Sequence, residues 1–185
     1  MKCISPRLCL WKQRLNSLRD IIIYLSRKEI LTLRESHYSE SIAGWCLNMS
    51  SIRSFIAVDL EDEGIKRNLV SVQGVLGRTG ADLKLVEEEN IHVTLRFLGD
   101  TPMGDIARIV GELSGVRFKP FRAEVRGVGV FPGLSRPRVV WAGFRKGEKE
   151  FEDLFQRIEP RLRGLGVRPD NNPFHPHITL ARVGS

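Results

Sequence analysis

Two short stretches of this chain carry the same chemistry-bearing residues at the same spacing: His92-Val93-Thr94-Leu95 and, 85 positions later, His177-Ile178-Thr179-Leu180. Side chains alternate between faces along an extended strand, so each copy presents its histidine and threonine on one side and its aliphatic residues on the other. Two such strands related by a pseudo-twofold axis would place two imidazoles and two hydroxyls in one cleft. Imidazole, with an unperturbed pKa of ~6.5, can either hold or accept a proton near neutrality. Metal-free phosphodiester cleavage needs a base for water, an acid for the departing oxygen, and donors for the non-bridging oxygens where charge develops. A single histidine on a strand is usually a surface or satisfied core residue. Repetition of the whole tetrapeptide makes His92 and His177 the catalytic candidates and Thr94 and Thr179 the phosphate-binding ones.

Two arginines follow the motifs. Strict alternation puts Arg96 on the same face as His92, whereas Arg182 has the opposite parity from His177 and needs a bulge or a strand end to reach the site. Both are phosphate-binding candidates. Phe131, Trp141 and Phe174 are placed to stack a base, with His175 as a supporting loop residue. His175-Pro176-His177 also reads as a metal fragment, but no carboxylate or cysteine partner stands at a recognisable ligand spacing, so no metal is expected. No G-x-x-x-x-G-K-[ST] loop is present to cradle a nucleotide triphosphate, and no cofactor is expected.

The elements that must position these residues alternate in kind. Ser54 to Leu60 reads as a nearly apolar, buried strand. Asp62 opens a helix with Ile65, Leu69, Val72 and Leu76 on one stripe, ended by Gly77 and Gly80. A brief run at Leu83 to Val86 and an acidic turn at Glu87 to Asn90 lead into the first motif strand, Ile91 to Leu98. Thr101 is expected to cap, and Pro102 to begin, a helix carrying Met103, Ile106, Ala107 and Val110 and stopping near Gly115. Strands at Phe121 to Val130 and Arg138 to Arg145 flank a Phe131-Pro132-Gly133 loop. The next helix places Phe151, Leu154, Phe155, Ile158, Leu162 and Leu165 on one face, with Pro160 expected to kink or shorten it. After a loop at Asp170 to Pro173, Phe174 to Val183 is the second motif strand. The pattern is α+β with two halves, each placing one motif.

Composition sets the bounds. Hydrophobic residues are 42% and charged residues 28%, which fits a globular protein and excludes disordered and fibrous classes. No apolar run approaches the ~20 residues of a membrane span. The net charge of +7 is concentrated early: residues 1 to 48 hold 8 Lys+Arg against 4 Asp+Glu. The remainder is only mildly basic, as suits a protein that meets phosphate locally rather than along a duplex. Cys3, Cys9 and Cys46 all fall in that first segment, so the rest of the chain can form neither a disulfide framework nor a cysteine zinc site, and a reducing cytoplasm is expected. Residues 1 to 48 read as an N-terminal extension: an over-extended start before Met49, a disordered appendage, or a targeting arm, the last disfavoured by Asp20, Glu29, Glu35 and Glu40. Ile21, Leu25, Ile30 and Leu33 give it one loosely periodic helix.

The paired motifs with their flanks, Arg53-Ser54-Phe55-Ile56-Ala57-Val58, His92 to Gly99, Gly127 to Pro132 and Phe174 to Arg182, resemble the RNA 2′,3′-cyclic phosphodiesterase (2′-5′ RNA ligase-like) family of the 2H phosphoesterase superfamily. The resemblance runs from about residue 49 to the end. It implies two pseudo-symmetric lobes of antiparallel-rich sheet with flanking helices and a central cleft. It implies hydrolysis of RNA 2′,3′-cyclic phosphate ends to 2′-phosphates, with His92 as proton donor and His177 as proton acceptor, and reverse ligation to a 2′-5′ linkage. The expected partner is RNA, the expected state a monomer. Family members continue past the second motif with a helix and strand that complete the sheet. Residues 49 to 185 are therefore expected to lack those C-terminal elements and to leave an edge uncovered. Two other classes compete: an RNA-end binding module with little turnover, and a metallophosphoesterase centred on His175 and His177.

Overall fold

The structure, a computed structural model, describes residues 11–15, 21–25, 29–32 and 50–184. Where the chain alternates or strings together β-branched residues it forms strands: β1 (Trp11–Leu15), β2 (Ile21–Leu25), β3 (Glu29–Thr32), β4 (Ser51–Asp59), β5 (Leu83–Leu85), β6 (His92–Pro102), β7 (Phe121–Phe131), β8 (Val139–Lys146) and β9 (Ile178–Val183). Helical periodicity yields α1 (Glu63–Gly77), α2 (Met103–Ser114) and α3 (Glu148–Gly164). The Asp62 carboxylate caps α1 by accepting from the Ile65 N–H at 3.0 Å.

The strands form an antiparallel sheet in the order β1-β7-β8-β9-β6-β4-β2-β3, with β5 also paired to β9. Its two halves meet at a narrow seam, because β6 and β9 pair only through Val93 and Ile178. The aliphatic residues of both motifs, Val93, Leu95, Ile178 and Leu180, share one buried core with Ile65 and Leu69 of α1, Ile109 and Leu113 of α2, and Leu154 and Ile158 of α3. One face of the seam is thereby committed to packing. The other is left for the histidines and threonines.

Four local expectations are corrected. Residues 21 to 32 form β2 and β3 rather than a helix: the β-branched run Ile21-Ile22-Ile23 pairs with Val58, Ala57 and Ile56 of β4, and Ile21 and Ile23 are fully buried. The expected Leu33 of that helix lies outside the described residues. β1 pairs with β7 and β2 with β4, so the described parts of residues 1–48 are strands of the sheet. Thr101 does not cap α2: β6 runs on to Pro102, and the Thr101 hydroxyl bonds the Ser54 hydroxyl at 2.8 Å inside the core. α3 continues through Pro160 to Gly164, held by buried Ile158 and Leu162 on either side. Finally, the second motif strand starts at Ile178, so His177 sits at its mouth in a segment framed by Pro173 and Pro176.

Candidate active site

The pairing of Val93 with Ile178 sets the geometry of the seam. In an antiparallel pair this register puts His92 across from Thr179 and Thr94 across from His177, all four on the face opposite the helices. The two copies match in detail. From Ile91 to Phe97 and from Pro176 to Arg182 burial runs in the same sequence, ending in two consecutive buried residues and one exposed residue.

Those consecutive buried residues mark a β-bulge in each motif. On β4, Ile56 and Ala57 face Arg96 and Thr94, leaving Leu95 extra; on β8, Val140 and Trp141 face Ala181 and Thr179, leaving Leu180 extra. One extra residue inverts the alternation beyond it. Arg96 is therefore drawn into the protein rather than left open on the cleft face as strict alternation would have it, and only borders the cavity that holds His177. Only 6% exposed, it donates from Nε to Glu159 at 2.8 Å and from its terminal nitrogens to the carbonyls of Phe97 and Arg168. The same inversion brings Arg182 onto the cleft face. Phe97, which alternation had turned away, now stands there too, 57% exposed and tilted against Phe55 at 5.7 Å.

Each bulge is buttressed from the opposite half. Glu159 of α3 anchors Arg96. Gln73 of α1, itself buried, donates from Nε2 to the carbonyls of Leu180 at 2.8 Å and Val86 at 2.7 Å, and the Val86 N–H donates to the same Leu180 carbonyl. The bulged carbonyl that the β8 ladder cannot use thus accepts two hydrogen bonds.

The imidazoles have matching backbone neighbours. His177 donates from Nδ1 to the His175 carbonyl at 2.7 Å, which leaves Nε2 for the cleft. The backbone of Asn90, also two residues earlier, lies by the His92 ring and favours its protonated form, and the ring's Nε2 is hydrogen-bonded to the Thr94 hydroxyl at 3.0 Å. Burial pushes the His92 pKa down to about 4, opposed by the Asn90 bond and reinforced by the nearby His177 charge. His177 is also lowered, by burial first and by His175 in addition, against the His175 backbone bond. Both rings are therefore neutral in the free protein near pH 7. An anion in the cleft would raise both.

Two cavities flank the pair and share Thr94 and Phe97. The first, about 380 Å³, is lined by Phe55, Lys84, His92, Thr179 and Arg182 among others. The second, about 190 Å³, takes in Phe131, Phe155, Phe174, His175 and His177. Phe131 stacks on Trp141 at 4.9 Å, and both rings meet His175 and His177 edge-on. The Trp141 indole lies flat across β7 because position 129 is glycine: a Cβ there would overlap the ring. Phe174 stacks face to face on Phe155 at 4.6 Å and packs against the core. A larger cavity, about 590 Å³, lies on the far side of Arg96 near Asp105 and Arg168 and contains neither histidine.

Phe97, Phe55, Lys84, Phe155 and Gln73 complete the surroundings and were missed from sequence. Phe97 had a signal available, since the bulge that Arg182 requires can be carried by symmetry to the first motif. Among the described residues no three His, Cys, Asp or Glu side chains gather as a metal-ligand set, and no helix is long and apolar enough to cross a membrane.

The LigT like Phosphoesterase family matches residues 58–141 and 145–185. A protein named RNA 2′,3′-cyclic phosphodiesterase from Aeropyrum pernix is 42% identical over 115 residues, 62% of this chain and 65% of its own length, just under two thirds. Its namesake from Archaeoglobus fulgidus is 42% identical over 135 residues, 71% of this chain and 73% of that one. The crystal structure of TT0787 of Thermus thermophilus superposes with a TM-score of 0.63 at 31% identity, covering 71% of this chain and 74% of its own. That of E. coli LigT in apo form gives 0.63 at 27%, covering 74% and 75%. The mixed α+β architecture with its antiparallel sheet and three helices is that of these proteins, and the chain belongs to the LigT-like phosphoesterase family of the 2H phosphoesterase superfamily.

Proposed function

We propose that this protein hydrolyses RNA ends bearing a 2′,3′-cyclic phosphate to 2′-phosphates without a metal ion, and runs the reverse 2′-5′ ligation weakly. The observation that carries this reading is the convergence of two His-x-Thr sites on one face of the β6–β9 seam, with His177 fixed by the His175 carbonyl and His92 bonded to the Thr94 hydroxyl. The names of the similar proteins support it.

In this mechanism the phosphodiester anion enters between the two cavities. Thr94, Thr179 and Arg182 donate to its non-bridging oxygens, and its charge raises the lowered imidazole pKa values. His92 then carries a proton and His177, neutral, takes one from water as the water oxygen attacks phosphorus. The P–O3′ bond breaks and His92 delivers its proton to O3′. Phe97, Phe131, Trp141 and Phe174 offer ring faces and edges to the bases, with His175 beside His177. The reading includes a monomer acting in the cytoplasm, to which the distribution of cysteines is suited.

The test is turnover of a cyclic-phosphate-ended oligoribonucleotide in EDTA by the wild type, His92→Ala and His177→Ala. Turnover that resists EDTA and disappears in both variants is expected. Binding without turnover would favour a binding module, sensitivity to EDTA a metal at His175 and His177, and undiminished activity in either variant would overturn the two-histidine mechanism.

A further inference from the structure

Lys84 and Arg182 face one another across β5 and β9 as a direct cross-strand pair, so their side chains share a face. Both are exposed, and both line the cavity of about 380 Å³ that also holds His92, Thr94 and Thr179. Like charges directly opposite one another destabilise a strand pair. Among the described residues neither cation has a carboxylate partner. Glu87 is the single acidic residue lining that cavity, and the side-chain amide of Asn90 donates to it at 3.0 Å. Arg96, by contrast, is fully engaged by Glu159 and two carbonyls. An uncompensated pair of cations beside a phosphate-binding face is matched to anionic ligand rather than to protein.

Counting charge shows how many anions are needed. A cyclic phosphodiester carries a single negative charge, and the Arg182 guanidinium together with one protonated imidazole already answers it. Lys84 is surplus to that group and stands one strand further out, roughly 5 Å beyond β9. A 2′,3′-cyclic mononucleotide with a free 5′ hydroxyl brings nothing for it. The terminal nucleotide of an RNA chain brings a second anion, the phosphodiester linking it to the preceding residue.

We infer that Lys84 binds the internucleotide phosphate next to the reacting cyclic phosphate, and so makes the enzyme prefer the end of an RNA strand to a cyclic mononucleotide. The inference rests on the phosphodiesterase reading above. Lysine suits the role, since its compact ammonium meets a phosphate of variable orientation as a point charge.

The test compares kcat/KM on a 5′-hydroxyl trinucleotide ending in 2′,3′-cyclic phosphate with that on the matching cyclic mononucleotide. Lys84→Ala should lower the first about tenfold, the loss of one charge-assisted contact, and leave the second within about twofold. Retained mononucleotide activity also reports an intact fold. Lys84→Arg should keep most of the trinucleotide activity. For a trinucleotide ending in an uncleavable 3′-phosphate, the plot of log binding constant against log salt should be shallower by ~0.7 in Lys84→Ala, one phosphate contact fewer on a single strand. Equal loss on both cyclic substrates, or none on the trinucleotide, overturns the assignment. Failure of the underlying function looks different: the wild type itself would turn over neither substrate, and the assignment would fall with it.

Discussion

The first and second motif strands are built on one backbone plan and furnished differently. Both place His and Thr on the cleft face, both insert a bulged leucine next, and both thereby present the residue five positions after the histidine to the cleft. At that position one half offers a ring, Phe97, and the other a cation, Arg182. His92 stacks on Phe55 at 4.9 Å, while His177 meets Phe131 edge-on at 5.0 Å beside His175. Symmetry in the backbone brings two His-x-Thr pairs to one cleft. Asymmetry in the side chains gives the two pairs different surroundings, which is where the proposed mechanism locates their separate tasks.

Where the halves are equal, their loss should be equal. His92→Ala and His177→Ala are each expected to lower kcat by ~10²- to 10⁴-fold, the usual worth of one positioned proton transfer. The double variant should be far less impaired than the product of the two, since both act in one turnover. Single-turnover rates on the cyclic-phosphate end measure this. A double variant as slow as the full product would show that the two rings act independently, and would break the comparison at its root.

The buttresses of the two bulges differ in kind, and stability should report it. Glu159 is 6% exposed and accepts from Arg96, Arg163 and the Asp170 N–H, so Glu159→Ala leaves a buried guanidinium with Asp170 at 4.0 Å as its remaining carboxylate. Losing one partner of such a pair costs about 3–5 kcal/mol. Gln73 in the other half is neutral, and Gln73→Ala, which takes the side-chain donor from the Val86 carbonyl and leaves Leu180 only the Val86 N–H, should cost about 1–3 kcal/mol. Urea midpoints of the two variants separate these values; equal costs would show that charge at the first bulge contributes nothing special.

These bulges are also where reading the sequence stopped working. The faces of His92, Thr94, His177 and Thr179 follow from a period of two, and the helix stripes of α1 and α3 from a period of 3.6, because burial on one side enforces both. A bulge at leucine carries no such mark: neither Leu95 nor Leu180 is a glycine, and the extra residue is imposed by the register of β4 and β8 from outside the motif. A strict period of two therefore puts Arg96 on the cleft and Phe97 off it. Ile21 to Thr32 failed for a related reason. β2 owes its state to pairing with β4, a contact some 35 residues away in the chain that local periodicity does not contain, and β3 in turn pairs with β2.

The difference in burial between the histidines should appear on acidification. The folded pKa of His92, about 4, lies below the 6.5 of the unfolded chain, so folding excludes a proton between those values. Its contribution to stability is complete above about pH 6.5 and is lost as pH falls toward 4. Between pH 7.5 and pH 5 the loss attributable to His92 is about 2 kcal/mol, and His177, also lowered, adds to it with the same sign. Unfolding free energies at the two pH values should therefore differ less in His92→Gln than in the wild type. A variant as acid-sensitive as the wild type would show that burial of this ring is not what lowers its basicity.

The finest contrast is between Phe97 and Arg182 themselves, residues in equivalent places with opposite chemistry. Removing the guanidinium takes away a charge-assisted donor to phosphate, so Arg182→Ala should lower kcat/KM by about 30-fold, an effect that shrinks as salt rises. Removing an exposed ring takes away stacking area at the low end of the ~1–3 kcal/mol range for base–aromatic contacts, so Phe97→Ala should cost about fivefold, chiefly in KM. The two losses can be told apart by the substrate. Replacing the terminal base with hydrogen, leaving an abasic cyclic phosphate, should erase the difference between Phe97→Ala and the wild type, because the ring then has nothing to stack. Arg182→Ala should remain as impaired on that substrate as on the normal one. If Phe97→Ala is still impaired on the abasic end, then Phe97 acts on the phosphate or on His92 through Phe55. The two halves would then differ less in task than in the means by which they hold the same group.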